Sequence, residues 1–314
     1  MEQLTLLILG AGWTSTFLIP LLQSSSIPFA ATTTSGRTVS GAPTIPFKFD
    51  PANTPEDELR TAISSLPAAK YVLITFPLTG NGPSKTLIEL YNATHQSHSS
   101  AASQQARFIQ LGSSGIWGAG RTIAAADKEK IEKELAEKRG GDPWVTRHSP
   151  INESNPRAIA ENELLSLGGC VLNLSGLWGG ERQPINWIPR VAATKEAVRG
   201  KTSLHLIHGE DIARAVVKIV TAEDGKWENG GGKGERWMLT DGFVYDWWAM
   251  LAGWAEDPAG EGKVREQGVW VRELMEEEDV RALPREMEKL GRCYDSREFW
   301  RVWGLVPIKI LGGL

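Results

Sequence analysis

Residues 4–22, LTLLILGAGWTSTFLIPLL, narrow the possible folds more than any other stretch of the chain. An apolar run (Leu4, Leu6, Leu7, Ile8, Leu9) ends at Gly10-Ala11-Gly12, and apolar residues then recur at helical spacing (Trp13, Phe17, Leu18, Leu21, Leu22). An unbroken apolar run marks a parallel strand buried on both faces. The stretch therefore predicts a strand, a glycine turn and a helix. Glycines at such a turn let the backbone approach a diphosphate, and the helix N-terminus adds free N–H groups and a positive dipole end. The pattern is Gly10-x-Gly12-x-x-Ser15, with serine where a third glycine is usual. Gly10, Gly12, Trp13, Thr14 and Ser15 are thus the candidate dinucleotide-cradling residues. Glu2 precedes the run, and Gly10, Gly12 and Pro20 interrupt it, which argues against a secretory signal. No segment approaches ~18 uninterrupted apolar residues, so no membrane partner is expected.

A chain of 314 residues suits one large domain or a domain with a smaller lobe. Its net charge of −4 argues against a general nucleic-acid binder. The 2 cysteines, Cys170 and Cys293, suggest a reducing compartment, and the expected location is the cytoplasm. The 13 tryptophans cluster after Trp117 and give the second half flat, amphipathic surfaces.

A second strand is predicted over 27–34, where a dinucleotide fold meets the adenosine ribose. No acid stands there to hold a ribose 2′-hydroxyl; Ser35 offers a hydroxyl and Arg37 can pair with a 2′-phosphate, which favours NADP(H) over NAD(H). A third strand over 45–49 closes at Asp50, a further candidate cofactor-binding residue, and Thr54 is the expected N-cap of a helix with Pro55 in its first turn. The fourth strand, 71–76, delivers Phe76 and Pro77 to the carboxyl edge beside the cofactor. His95-x-x-His98 has no Cys or acid cluster with it and reads as surface histidines, so no metal is expected.

The fifth strand, 107–111, runs into Gly112-Ser113-Ser114-Gly115-Ile116-Trp117-Gly118, a site-like sequence where open α/β sheets bind ligands. The charged segment 124–141 reads as a solvated helix, and 158–167 as a helix after a loop. A sixth strand, 171–174, leads into Ser175-Gly176-Leu177-Trp178-Gly179, and 184–198, with Trp187, is expected to lie over the site. Asp211 is the expected N-cap of a helix over 212–220, and 236–240 is a further strand. Trp247, Trp248, Leu251 and Trp254 fall at helical spacing and read as core; the acidic run 276–279 reads as a solvated helix face. The alternation gives an α/β, Rossmann-type, doubly wound parallel sheet over 1–180 with a smaller C-terminal substrate lobe over 181–314, of which about 204–220 returns to the main domain.

In this order, Gly10-x-Gly12, Ser113-to-Gly118, Ser175-to-Gly179 and Ile207-His208-Gly209-Glu210-Asp211-Ile212-Ala213 resemble the short-chain dehydrogenase/reductase superfamily, in its extended and atypical branch of NAD(P)-dependent epimerase/dehydratase-like proteins. The resemblance covers most of the chain. It implies a hydride-transferring enzyme, a small-molecule substrate and, through helices on the sheet's flank, a homodimer. The family pattern also asks for Tyr-x-x-x-Lys after the serine. None of the 4 tyrosines has a lysine at that spacing, so the usual proton relay is absent. Ser113 fits the serine position, with Ser114 beside it. His148, Arg157 and Glu161 are candidates to replace the relay, and Trp117, Trp178 and Trp187 to wall the substrate pocket. The sequence thus supports an NADP(H)-dependent oxidoreductase or epimerase acting on a small carbonyl or hydroxyl compound. The alternative is a non-catalytic NADP(H)-binding redox sensor or scaffold.

Overall fold

The computed structural model describes residues 4–95, 105–120, 125–256 and 264–312; His98 lies outside them. Its main sheet has 7 strands: β1 (Leu4–Leu9), β2 (Phe29–Thr33), β3 (Ile45–Pro46), β4 (Ala69–Ile74), β5 (Arg107–Ser113), β6 (Cys170–Leu174) and β7 (Arg236–Leu239). They pair in parallel in the order β7-β6-β5-β4-β1-β2-β3. The order reverses beside β1, and this is the crevice where such sheets bind ligands.

The apolar runs explain the layers. Leu6, Leu7, Ile8 and Leu9 are all 0% exposed, and successive side chains point to opposite faces. Leu6 and Ile8 meet α1 (Ser15–Ser24); Leu7 and Leu9 meet α2 (Glu56–Ser64) and α3 (Pro83–His95). Each such burial stabilises by about 1.5–3 kcal/mol. The first face is completed by α6 (Gly209–Val220) and α9 (Arg297–Trp303), and the second by α5 (Pro156–Ser166); α4 (Ala125–Lys138) precedes α5 in the chain. A separate core joins residues 188–198 to α7 (Trp247–Gly253) and α8 (Glu266–Glu277) through Trp248, Leu251, Val271 and Leu274. The expected tryptophan stripe is indeed core at Trp247 and Trp248.

The Rossmann-type sheet is as the sequence predicts, with differences of detail that have local causes. Strand 236–239 joins the main sheet beside β6. The predicted third strand shrinks to Ile45–Pro46, because Pro46 has no N–H to extend the ladder. Helix α5 starts at Pro156, capped by Asn155, whose side chain accepts the Arg157 N–H at 3.0 Å. Thr54 caps nothing: α2 begins at Glu56 with Pro55 in the cap position. Asp211 is not the cap of its helix either. His208 is, its Nδ1 accepting the Glu210 N–H at 3.1 Å. Asp211, 0% exposed, instead accepts the backbone N–H groups of Ile308 and Lys309 and ties down the C-terminal tail. The acidic run is exposed but paired: Glu277 and Glu278 hold Arg199. No helix among the described residues is long and apolar enough to cross a membrane.

Candidate functional site

The glycine turn is built by its neighbours. Gly10 has φ +87°, and a Cβ there would lie 2.9 Å from Phe76 Cδ1, so only glycine fits. Thr32 holds the turn from β2: its Oγ1 accepts the Gly10 N–H at 3.0 Å and its carbonyl accepts the Ala11 N–H at 2.6 Å. Thr75 donates from its Oγ1 to the carbonyls of Leu9 and Gly10. A Cβ on Gly12 would meet only the Gly10 carbonyl, at 3.8 Å, which leaves that side of the turn open. Among the described residues the amide N–H groups of Trp13 and Thr14 have no acceptor, and the buried Ser15 Oγ has no partner. Three polar groups at one helix N-terminus are thus left for an anion.

At the far end of β2, Thr33 and Thr44 hydroxyls pair at 2.8 Å and organise the loop that carries Arg37. The Arg37 N–H donates to Thr33 Oγ1 at 3.1 Å, and its guanidinium reaches back to the Ala11 carbonyl at 3.5 Å. Ser35 is exposed beside it. Asp50 accepts from Lys48 and Asn53, both at 3.0 Å, and these bonds hold its carboxyl below the usual range. Phe76 is half-buried, stacked on Phe49 at 6.2 Å, and Pro77 is exposed next to it.

The carboxyl end of β5 is organised differently. Glu161, on α5 and 0% exposed, accepts the Ser113 N–H at 3.2 Å and Asn173 Nδ2 at 2.8 Å, with the Arg236 guanidinium at 3.6 Å. Burial pushes its carboxyl up, against the pull of Asn173 and the arginines. Asn173 also donates to the Ser113 carbonyl at 3.1 Å, and Arg157 donates to the Leu111 carbonyl at 3.1 Å. Ser113 stays half-exposed, its Oγ accepting the Gly115 N–H at 3.2 Å. Tyr294, which the sequence did not single out, donates its O–H to the Ser114 carbonyl at 2.9 Å and accepts from Arg292 at 3.2 Å. It lies 180 residues away in the chain, with no spacing signal to find it. Trp117 is 0% exposed and packs edge-on to Tyr294, its Nε1 donating to the Ser149 carbonyl. His148 sits at the surface, 65% exposed, with Nε2 at 2.9 Å from Glu298.

After β6 the chain pairs Gly176–Trp178 with Leu206–His208. Trp178 packs edge-on to His208 at 4.7 Å, and Trp178 and Trp187 lie against a cluster of Leu206, Tyr245 and Met250. The buried Trp178 Nε1 and Ser175 Oγ have no partner among the described residues. Trp13, at the glycine turn, reaches this loop by donating its Nε1 to the Gly179 carbonyl at 3.3 Å. One continuous edge therefore runs from Arg37 through the glycine turn to the Trp178 loop.

No family model matches the chain, and no curated protein sequence does. Solved structures match its fold along nearly its whole length. MoeE5, solved with UDP-glucuronic acid and NAD, is 13% identical with a TM-score of 0.56, over 97% of this chain and 94% of that one. UDP-glucose 4-epimerase of Thermotoga maritima, solved with UDP-glucose, is 14% identical with a TM-score of 0.53, over 96% and 93%. A functionally unknown conserved protein of Silicibacter pomeroyi is 17% identical with a TM-score of 0.59, over 97% and 93%. At such identities the likeness shows the fold.

Proposed function

We propose that this chain is an NADP(H)-binding oxidoreductase or epimerase of the atypical short-chain dehydrogenase/reductase type, acting on a small carbonyl or hydroxyl substrate without a Tyr-x-x-x-Lys relay. The observation that carries this reading is the glycine turn, with unpartnered Trp13 and Thr14 N–H groups and the Arg37 guanidinium above Ala11. No carboxylate follows β2, so a 2′-phosphate has a cation there and a bare 2′-hydroxyl has no acid. MoeE5 was solved with NAD and a UDP-sugar on the same fold, which supports a pyridine nucleotide and a sugar-like substrate. A bound nicotinamide supplies the hydride chemistry. This chain's part is to align it: Ser113 and Ser114 hydrogen-bond the reacting oxygen, while Trp178 and Trp187 wall the pocket. A cytoplasmic setting suits the free, buried Cys170 and Cys293.

A second reading has its own support. The ionisable groups that touch the Ser113–Ser114 backbone, Glu161 and Tyr294, are buried and engaged in structural bonds. A cofactor-binding protein without turnover would look this way. The test is NADPH oxidation, followed at 340 nm, across small aldehydes, ketones and nucleotide sugars. Turnover that falls about 10²-fold in Ser113→Ala supports the enzyme. Tight NADPH binding with no turnover on any of them supports the non-catalytic protein.

A further inference from the structure

The loop after β6 carries a second cation to the glycine turn. Gly179 and Arg182 exchange backbone hydrogen bonds at 2.9 and 3.1 Å, forming a small hairpin. This hairpin is wedged on both sides. Trp13 Nε1 donates to the Gly179 carbonyl, and a Cβ on Gly179 (φ +117°) would lie 2.3 Å from His208 Nε2. The wedge places the Arg182 guanidinium 4.7 Å from the centre of the Trp13 ring. Arg37 meanwhile reaches Ala11, two residues earlier on the same turn. Among the described residues neither guanidinium has a carboxylate partner. The turn also starts α1, whose N-terminus carries positive dipole charge. Three positive groups thus gather along one turn with no carboxylate partner for either guanidinium among the described residues, and a polyanion would relieve their repulsion.

We propose that Arg182 binds the pyrophosphate of the dinucleotide, while Arg37 serves the 2′-phosphate. This rests on reading the glycine turn as the dinucleotide site. The two cations stand at opposite ends of the turn, as the two anionic groups stand apart in the ligand. A guanidinium can meet a phosphate with paired N–H donors, which a lysine cannot. The Trp13 face holds Arg182 within reach of the turn before the ligand arrives. The division of labour predicts different ligand profiles for the two arginines. Both side chains are exposed at the surface, so their removal leaves the core intact.

Calorimetric titration with NADPH and NADH, and ligand-observed NMR with adenosine 2′-monophosphate, separate the roles. Adenosine 2′-monophosphate has the 2′-phosphate and no pyrophosphate. Arg182→Ala should weaken NADPH and NADH alike, by about tenfold or more, and leave adenosine 2′-monophosphate unchanged; Arg182→Lys should recover part of the loss. Arg37→Ala should weaken NADPH and adenosine 2′-monophosphate but not NADH. The assignment of Arg182 is overturned if Arg182→Ala stays within about twofold of the parent for both dinucleotides, or weakens adenosine 2′-monophosphate equally. If the parent protein binds neither dinucleotide, the reading of the turn itself falls, and the assignment with it.

Discussion

The two halves of the sheet's carboxyl edge settle their charges in opposite ways. Around β1, α1 and β2 the polar groups are left open: Trp13 and Thr14 N–H groups without acceptors, and the Arg37 and Arg182 guanidinium groups without carboxylates among the described residues. Around β5 the ionisable groups are instead engaged within the chain: Glu161 accepts from Ser113 and Asn173, with Arg236 near, and Tyr294 donates to Ser114, although the buried Gln110 amide, Asn173 Oδ1 and Ser175 Oγ keep no partner among the described residues. Open polar groups at a surface cleft are suited to a ligand, and closed ones below it are suited to rigidity. The ionisable groups at β5 thus form a fixed platform beneath the half-exposed Ser113 hydroxyl, while the open groups at the glycine turn are those that the proposed anion cradle needs.

The platform breaks most severely at Glu161. Glu161→Ala removes the acceptor of the Ser113 N–H, one of the two acceptors of the buried Asn173 amide and the carboxylate beside the Arg236 guanidinium, and should cost about 3–5 kcal/mol in denaturant unfolding. Glu161→Gln, which keeps the volume and one acceptor, should cost less. Equal and small losses in both would mean that the platform is not held by this carboxylate.

Next comes Asp241, beneath the same end of the molecule. Its carboxyl accepts the Tyr245 O–H at 2.7 Å, and Tyr245 in turn accepts the Leu311 N–H of the tail. Burial raises it from 3.8 to about 6. A raised folded value means that the folded state holds the proton more tightly. Its contribution is therefore complete below about pH 4 and is lost as pH rises through about 6, on the order of 2–3 kcal/mol. Asp241→Asn should flatten that part of the stability–pH curve. An unchanged slope would show that another group sets it.

The cradle should tolerate less at its backbone than at its charges. Gly10→Ala forces a positive φ and a contact with Phe76, and should cost about 2–3 kcal/mol together with nucleotide binding. Arg37→Ala should change stability by under about 0.5 kcal/mol. Its effect belongs to the ligand, about tenfold in NADPH affinity, or about 1.4 kcal/mol. If Gly10→Ala proved harmless, or Arg37→Ala unfolded the protein, the contrast between a shaped backbone and spare charges would fail.

Much of the cradle was legible because its constraints are local. The apolar run Leu6–Leu9 and the positions of Gly10 and Gly12 lie within a short segment and dictate its strand and turn. The platform was not legible because its bonds cross the chain. Glu161 meets Ser113 at a separation of 48 residues and Tyr294 meets Ser114 at 180. No spacing announces such pairs. His208 took the cap expected of Asp211 for a similar reason: the distant tail claims the Asp211 carboxylate. Arg182 carries no signal in the sequence, because only the hairpin geometry brings it over Trp13.

The most direct test of the central claim is calorimetric titration of the intact protein with NADPH and with NADH under identical salt. An open cradle with Arg37 above it predicts micromolar NADPH binding, NADH about tenfold weaker, and loss of that difference in Arg37→Ala. Equal affinity for both nucleotides would contradict the role given to Arg37. Binding of neither would contradict the cradle.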